Sequence, residues 1–213
     1  MSYILGLMPQ VLEGLKVTLE IFALTLLLSI PLGIIVGLMR TSKSIILSKL
    51  SGVYVLIMRG TPLLLQIIVI FFGLPLVGIT FDRFSAALIA FTLNYGAYFG
   101  EIFRAGIQSI DEGQIEAAEV LGIKTKDTFF RIILPQAFKR VLPPVANEIT
   151  TLVKDTSLVY IVGMDELLKI GKIASNRDVS LVPLIVVGAV YLIVIGILSK
   201  ALKELEKKFD YYK

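Results

Sequence analysis

The charges of this chain come in clumps separated by long apolar gaps, and the gaps decide what it can fold into. No residue from Ile21 to Met39 is charged, and the same holds from Gly60 to Phe81, from Phe84 to Gly100 and from Val179 to Ser199. A helix rises 1.5 Å per residue, so about 20 mostly apolar residues cross ~30 Å of hydrocarbon. Gln136 to Gly163 is a further candidate, apolar but interrupted by Glu148, Lys154 and Asp155. One such run is compatible with a buried core helix. Four in a chain of 213 residues point to a bilayer. The pattern predicts an all-α integral membrane fold in one domain over residues 1–213, with five transmembrane helices at about 11–40, 50–75, 84–107, 136–163 and 179–203. Met1 to Gly6 has no basic start and no small-x-small site follows the first run, which argues against a secretory signal.

Composition agrees. Hydrophobic residues make up 56%, charged residues 18%, and the mean hydropathy is +0.85, whereas soluble domains carry about 25% charged residues. The absence of Cys and His removes disulfides, thiol nucleophiles, His-based triads and Cys/His metal sites, so no catalytic or metal-ligating set is expected. The net charge of +4 reflects where the cations sit. With five crossings, fourteen lysines and arginines fall on one side and five on the other. The richer side is expected to be cytoplasmic, placing the N-terminus outside and the C-terminus inside a cell membrane. Such a pattern offers no folded basic face for nucleic acid. The tail from Lys207 to Lys213, rich in Lys and Tyr, suits the cytoplasmic interface.

Between the third and fourth spans runs a polar stretch, Ser109 to Arg131. Ser109 and Glu112 fit a capping box, and Gly122 stands where a left-handed residue ends a helix. This predicts a short helix at about 109–122 outside the membrane, a turn at 123–125 and a second helix start. Its charges, Asp111, Glu112, Glu116 and Glu119, would be repelled by an anionic leaflet, so a protein partner is the better reading.

Those residues also carry a family resemblance. Glu116-Ala117-Ala118, then Gly122, then Ile132-x-Leu134-Pro135 resembles the EAA loop of ABC-transporter membrane subunits. Arg59 to Gln66, Asn147 with Lys154 to Leu158, Gly14-x-x-x-Thr18-Leu19, and Glu101-x-x-Arg104-Ala105-Gly106 resemble the polar amino acid permeases of that class over essentially the whole chain. The resemblance implies a type I ABC importer permease in a prokaryotic inner membrane, paired with an identical or paralogous permease subunit. It implies two ATP-binding cassette subunits, carrying ATP and magnesium, that dock on the helix bearing Glu116, Ala117, Ala118 and Gly122. An extracytoplasmic amino-acid-binding protein would deliver substrate. This chain lacks a P-loop, since Gly171-Lys172 is followed by Ile173, so no nucleotide cofactor is expected in it and hydrolysis must lie in a partner.

Ionisable residues inside a span need an account, because each costs ~2.5–3.5 kcal/mol at the helix centre. Glu148, Thr151 and Asp155 share one helical face, with Asn147, Thr150 and Lys154 in the adjacent row. Asp155-Thr156-Ser157 are N-cap residue types before an apolar run, which predicts a helix that unwinds near Asp155 and restarts. Its free amides would face a substrate carboxylate, and Glu148 an amino group. Asn94, Tyr98 and Glu101 on the third helix could complete the wall, Glu101 lying close to the cytoplasmic end. The expected substrate contacts are therefore Glu148, Asp155, Thr156, Ser157, Asn94 and Tyr98, and Glu148 tips the substrate toward a basic amino acid. A structural reading of Lys154 and Asp155, as mutual neutralisation or a subunit contact, stands beside it. Arg59, next to Pro62, reads as a snorkelling arginine at a kink, with a gate at the outer mouth as the alternative. The rival function is a secondary transporter driven by an ion gradient, with Glu148 and Asp155 as ion sites. It leaves the capped loop helix unexplained.

Overall fold

A computed structural model describes residues 2–209. Among these, every regular element is helical: α1 Ser2–Arg40, α2 Ile45–Gly60, α3 Leu63–Ile68, α4 Arg83–Gln108, α5 Glu112–Val120, α6 Thr125–Thr128, α7 Leu134–Asp155, α8 Leu167–Asp178 and α9 Val182–Lys208. The tail residues 210–213 lie outside the described residues.

α1 and α9 are each long and apolar enough to cross a membrane alone, with mean hydropathies of 2.5 and 2.7 in their best windows. α4 and α7 have the length, 26 and 22 residues, but carry polar residues in mid-helix. The second expected span, 50–75, is not one straight helix. α2 starts at Ile45, and the helical stretch from Leu63 to Val77 leaves it at 102°. Pro62 donates no amide and forces the preceding residue out of helical geometry, and Thr61 is extended at φ −121°, ψ 148°.

From Ile21 to Met39 α1 carries no charge on any face, so hydrophobicity does not mark its inner face there. Residue size does. Leu7, Val11, Thr18, Ile21, Thr25, Ser29 and Val36 are buried in a seven-residue rhythm, while Leu5, Leu12, Leu27 and Ile35 are exposed. Small residues let α1 lie close along α4. A Cβ on Gly33 would come within 2.5 Å of the Cβ of Phe99, and one on Gly100 within 2.5 Å of Cγ1 of Val36. The pairs Gly33/Gly37 and Gly96/Gly100 thus form the small-xxx-small contact by which membrane helices approach. The core beyond it joins Phe91, Tyr95 and Phe99 of α4 to Ile21, Ile67 and Leu152.

The loop helix forms, but its cap differs from expectation. Asp111 is the N-cap and accepts the Gly113 amide at 2.7 Å. Ser109 instead turns its hydroxyl back onto the Gly106 carbonyl at 2.7 Å. A cap one step before the helix outcompetes a serine still held by the end of α4. The other end is as expected: Gly122 adopts φ +71°, Ile123 donates to the Ala118 carbonyl and Gly122 to that of Glu119, both at 2.9 Å. This is a Schellman turn.

From Thr125 the chain stays helical, α6 running through a π-helical turn, Phe129–Ile133, into α7. No restart occurs at Asp155. The helix tightens to a 3₁₀ form over Thr156–Val162, with Asp155 in right-handed geometry and making no side-chain cap, and ends at left-handed Gly163. The Thr156 hydroxyl donates to the Val153 carbonyl at 2.7 Å, a back-bond that satisfies it within the turn. α8 fills the segment before α9 and was not foreseen. Its N-cap is the fully buried Glu166, which accepts from the amides of Leu168 and Lys169 at 2.7 and 2.6 Å.

Candidate functional site

The break after α2, the middle of α4 and the end of α7 enclose a cavity of about 660 Å³. The Thr61-Pro62 break leaves carbonyls at the end of α2 without helical partners. Two buried amide side chains supply them. Gln66 Nε2 donates to the Met58 carbonyl at 2.9 Å and to Thr61 Oγ1 at 2.9 Å, and Asn94 Nδ2 donates to the same Met58 carbonyl at 2.9 Å and to Gln66 Oε1 at 3.1 Å. The kink is therefore locked to α4. α3 begins on the cavity with Pro62 as its N-cap, which offers no side-chain acceptor to the first amides of that helix. A broken helix with an uncapped start does exist here, at Pro62 and not at Asp155.

Four of the six expected substrate contacts, Asn94, Tyr98, Glu148 and Asp155, line this one cavity. Thr156 and Ser157 do not. Thr156 is fully buried with its hydroxyl turned to Val153. Thr151, on the Glu148–Asp155 face, lines the cavity too, whereas exposed Lys154 points elsewhere. Asp155 accepts a hydrogen bond from the Tyr95 hydroxyl at 2.7 Å.

Arg59 has a contact that the snorkelling reading did not foresee. Its guanidinium lies over the Tyr98 ring, 4.9 Å from the centroid, on the cavity wall. Stacking on an aromatic face offsets part of the cost of holding a cation in an apolar slab. Tyr95 was missed altogether, and the role of Gln66 was not foreseen. Gln66 lay within the Arg59–Gln66 motif, but nothing in that spacing announced a helix lock. Tyr95 was hidden on an apolar face.

Glu101 is not part of the wall. It pairs with Arg104 at 2.5 Å on its own helix and with Arg40 at 3.8 Å at the end of α1. Arg104 also reaches Gln108, and Arg140 of α7 donates to the Ser109 carbonyl. These contacts tie the end of α4 to its neighbours just where the loop helix departs. On α5 itself, Glu116 and Ala117 are exposed together with Ile115 and Val120, while Ala118 is buried against the chain's own fold. Gln114 and Gln136 pair across α5 and α7 at 2.6 Å. Glu116 and Ala117 thus stand on an outward surface supported from behind.

Chemically the cavity presents one guanidinium and two carboxylates, with aromatic and amide surface between. It holds no nucleophile–base pair. Among the described residues no group of three or more His, Cys, Asp or Glu side chains could hold a metal ion.

Comparison with known proteins identifies the family. The chain is 38% identical over 202 residues to the arginine transport system permease protein ArtQ of Bacillus subtilis, covering 94% of this chain and 92% of that one. It is 36% identical to a putative glutamine transport system permease protein GlnP of Rickettsia bellii, covering 97% of each. It is 39% identical to the L-cystine transport system permease protein TcyB of B. subtilis, covering 96% of this chain and 88% of that one. Among solved structures, an amino acid ABC transporter crystallised with histidines superposes with a TM-score of 0.90 at 31% identity, covering 97% of each chain. The MetNI methionine ABC transporter, at 19% identity and a TM-score of 0.77, shares the fold. Residues 29–207 match the family described as binding-protein-dependent transport system inner membrane component. The chain belongs to that family and is an amino acid ABC-importer permease with the type I fold.

Proposed function

We propose that this permease carries basic amino acids, and that the charge pattern of the cavity selects them. An arginine or lysine substrate brings two cations and one carboxylate. Arg59, Glu148 and Asp155, which line one cavity, bring one cation and two carboxylates. That complementarity is the observation on which the reading rests. Arg59 and the first amides of α3 would receive the substrate carboxylate, and Glu148 and Asp155 its ammonium and side-chain cation. Relatives at similar identity are named for arginine, glutamine and cystine, so identity alone does not choose among them.

The chain would cross a prokaryotic cell membrane five times, α1, the α2–α3 pair, α4, α7 and α9 being the crossings, with the N-terminus outside and the C-terminus in the cytoplasm. It would work beside a second permease subunit, identical or paralogous. Two ATP-binding cassette subunits holding ATP and magnesium would seat on α5 through Glu116, Ala117 and the Gly122 turn, with Ala118 packed behind that surface rather than on it, and an external binding protein would supply substrate. The ion-gradient alternative is not favoured by the family to which the chain belongs.

The test is ATP-dependent uptake in proteoliposomes holding the permease with its ATPase and binding protein. Arginine or lysine should be taken up in preference to glutamine, and Glu148→Gln should weaken cationic uptake about 10- to 100-fold, the worth of a hydrogen bond to a charged group, while assembly is unchanged. Full-rate arginine uptake by Glu148→Gln would refute the assignment.

A further inference from the structure

A carboxylate that selects a cation has to be held in place without being neutralised. Asp155 meets that condition. It ends α7 on the wall of the substrate cavity, and Lys154 beside it in the chain is exposed. Among the described residues neither Asp155 nor Glu148 forms an ion pair. The one hydrogen bond to the Asp155 side chain, among those residues, comes from the Tyr95 hydroxyl, 2.7 Å from Oδ2. A neutral hydroxyl orients the carboxylate and leaves its charge for another partner, with Oδ1 free to accept.

Tyr95 is itself held firmly. It is 2% exposed, and its ring packs between those of Phe91 at 6.3 Å and of Tyr98 and Phe99 at 6.2 Å, centre to centre. A tyrosine has only two side-chain torsions, so packing its ring fixes its hydroxyl. That hydroxyl belongs to α4 and the carboxylate to α7, sixty residues further along the chain. The bond therefore sets the position of Asp155 from a neighbouring helix. At the other carboxylate, Arg59 stands close enough to act on the charge of Glu148. A substrate carboxylate on Arg59 thus brings its α-ammonium, one carbon away, toward Glu148 and leaves its side chain to Asp155.

We propose that Tyr95 is the positioning residue that makes Asp155 the selector of a cationic substrate side chain, its hydroxyl holding Oδ2 so that Oδ1 meets the substrate. This rests on the reading that the cavity takes basic amino acids, and it names the residue that sharpens their selection. A guanidinium or ammonium reaching Asp155 gains an ion pair. A neutral group of the same shape leaves the carboxylate half-buried and without a counter-charge. Tyr95 therefore acts on the difference between arginine and citrulline, its neutral isostere, and not on the α-amino acid end that the two share.

The experiment is equilibrium binding of radiolabelled arginine, and of citrulline by competition, to the permease purified with its ATPase subunits and without binding protein. The wild type should hold arginine more tightly than citrulline. Tyr95→Phe keeps the ring and its packing. It should weaken arginine about 10-fold, the lower end of what a hydrogen bond to a charged group is worth, and leave citrulline within about twofold. Asp155→Asn should weaken arginine about 10- to 100-fold. Adding Tyr95→Phe to Asp155→Asn should change arginine binding by no more than about twofold, because a residue that acts through Asp155 then has no charge to position. Wild-type arginine binding by Asp155→Asn, or equal binding of arginine and citrulline by the wild type, would overturn the basic-substrate reading and this proposal with it. A loss in Asp155→Asn with none in Tyr95→Phe would overturn the proposal alone. So would a Tyr95→Phe loss that falls equally on citrulline or adds in full to that of Asp155→Asn, since either marks a packing role only.

Discussion

The Arg59 guanidinium rests on the face of Tyr98, 4.9 Å from the ring centre, and both line the cavity that also holds Glu148 and Asp155. The stack joins the end of α2 to the middle of α4 across the cavity wall, beside the Pro62 break. It fixes a cation that would otherwise sample many rotamers, so a substrate carboxylate meets a charge already in place. Tyr98→Phe keeps the ring face and should leave KM for uptake within about twofold. Tyr98→Leu removes a contact worth about 0.5–2 kcal/mol and should raise KM severalfold. Arg59→Lys, which keeps charge but loses the planar stack, should fall between them. A titration of initial uptake rates against substrate concentration reads all three.

The lock on the α2–α3 kink is separable from substrate chemistry. Asn94 and Gln66 both donate to the Met58 carbonyl at 2.9 Å. Gln66→Leu leaves Asn94 as the only one of these two donors and strips the Thr61 hydroxyl of a partner. The expected loss is about 1–3 kcal/mol, seen as a lower midpoint of thermal unfolding in detergent. Substrate should not rescue it, because Gln66 does not line the cavity.

How much of this was written in the sequence depends on what the membrane does to each kind of signal. The long apolar gaps gave the helices, and Glu148, Thr151 and Asp155 were legible as one face because a charge in hydrocarbon stands out. The contact of α1 with α4 was not legible. In a bilayer both faces of a helix are apolar, so the inner side of α1 is marked by size, through Gly33, Thr25 and Ser29, and a search for hydrophobic period passes over it. The break at Pro62 was visible as a kink, but its 102° turn needed the Gln66 and Asn94 side chains, which come from elements far apart in the chain. The misplaced half-helix at Asp155 has a plain cause. Asp, Thr and Ser are N-cap types, but here Thr156 bonds back to Val153 and Asp155 is taken by Tyr95, so neither is left to cap.

The glycine contact predicts a steep response to small changes. Gly100→Val places branched methyls where a single Cβ already comes within 2.5 Å of Val36. Overpacking costs typically about 1–3 kcal/mol, and here two long helices must also separate along their length. Gly100→Val should cut the yield of folded protein and lower its unfolding midpoint more than Gly196→Val, whose site faces open space.

Gly122 closes α5 at φ +71° with nothing within 4 Å of where its Cβ would stand. A substitution there is strained by backbone conformation and not by crowding. Gly122→Val should cost about 1–2 kcal/mol locally and misdirect the chain leaving the loop helix. Gly122→Asn, which tolerates left-handed geometry, should largely restore it. In the assembled transporter, the expected result for Gly122→Val is ATP hydrolysis with little uptake. Uptake per ATP hydrolysed, measured in the same vesicles, separates that from simple loss of protein.

Glu166 carries the pH prediction. Burial pushes its carboxyl up, against the lowering effect of the Leu168 and Lys169 amides and the Tyr191 hydroxyl that donate to it. A carboxyl whose folded pKa is raised binds a proton more tightly in the folded state. Its contribution to stability is therefore fully present below the ordinary glutamate range and is lost as pH rises through the raised value. The unfolding midpoint of the wild type should fall as pH is raised from about 4.5, the unperturbed range for Glu. Glu166→Gln cannot ionise and should flatten that slope. At acidic pH it should sit slightly below the wild type, because one amide oxygen serves the first turn of α8 less well than a carboxyl group. A variant with the same slope as the wild type would place the pH dependence elsewhere. Equal midpoints at acidic pH with a flat slope would show that burial alone, and not the cap, sets what Glu166 costs this fold.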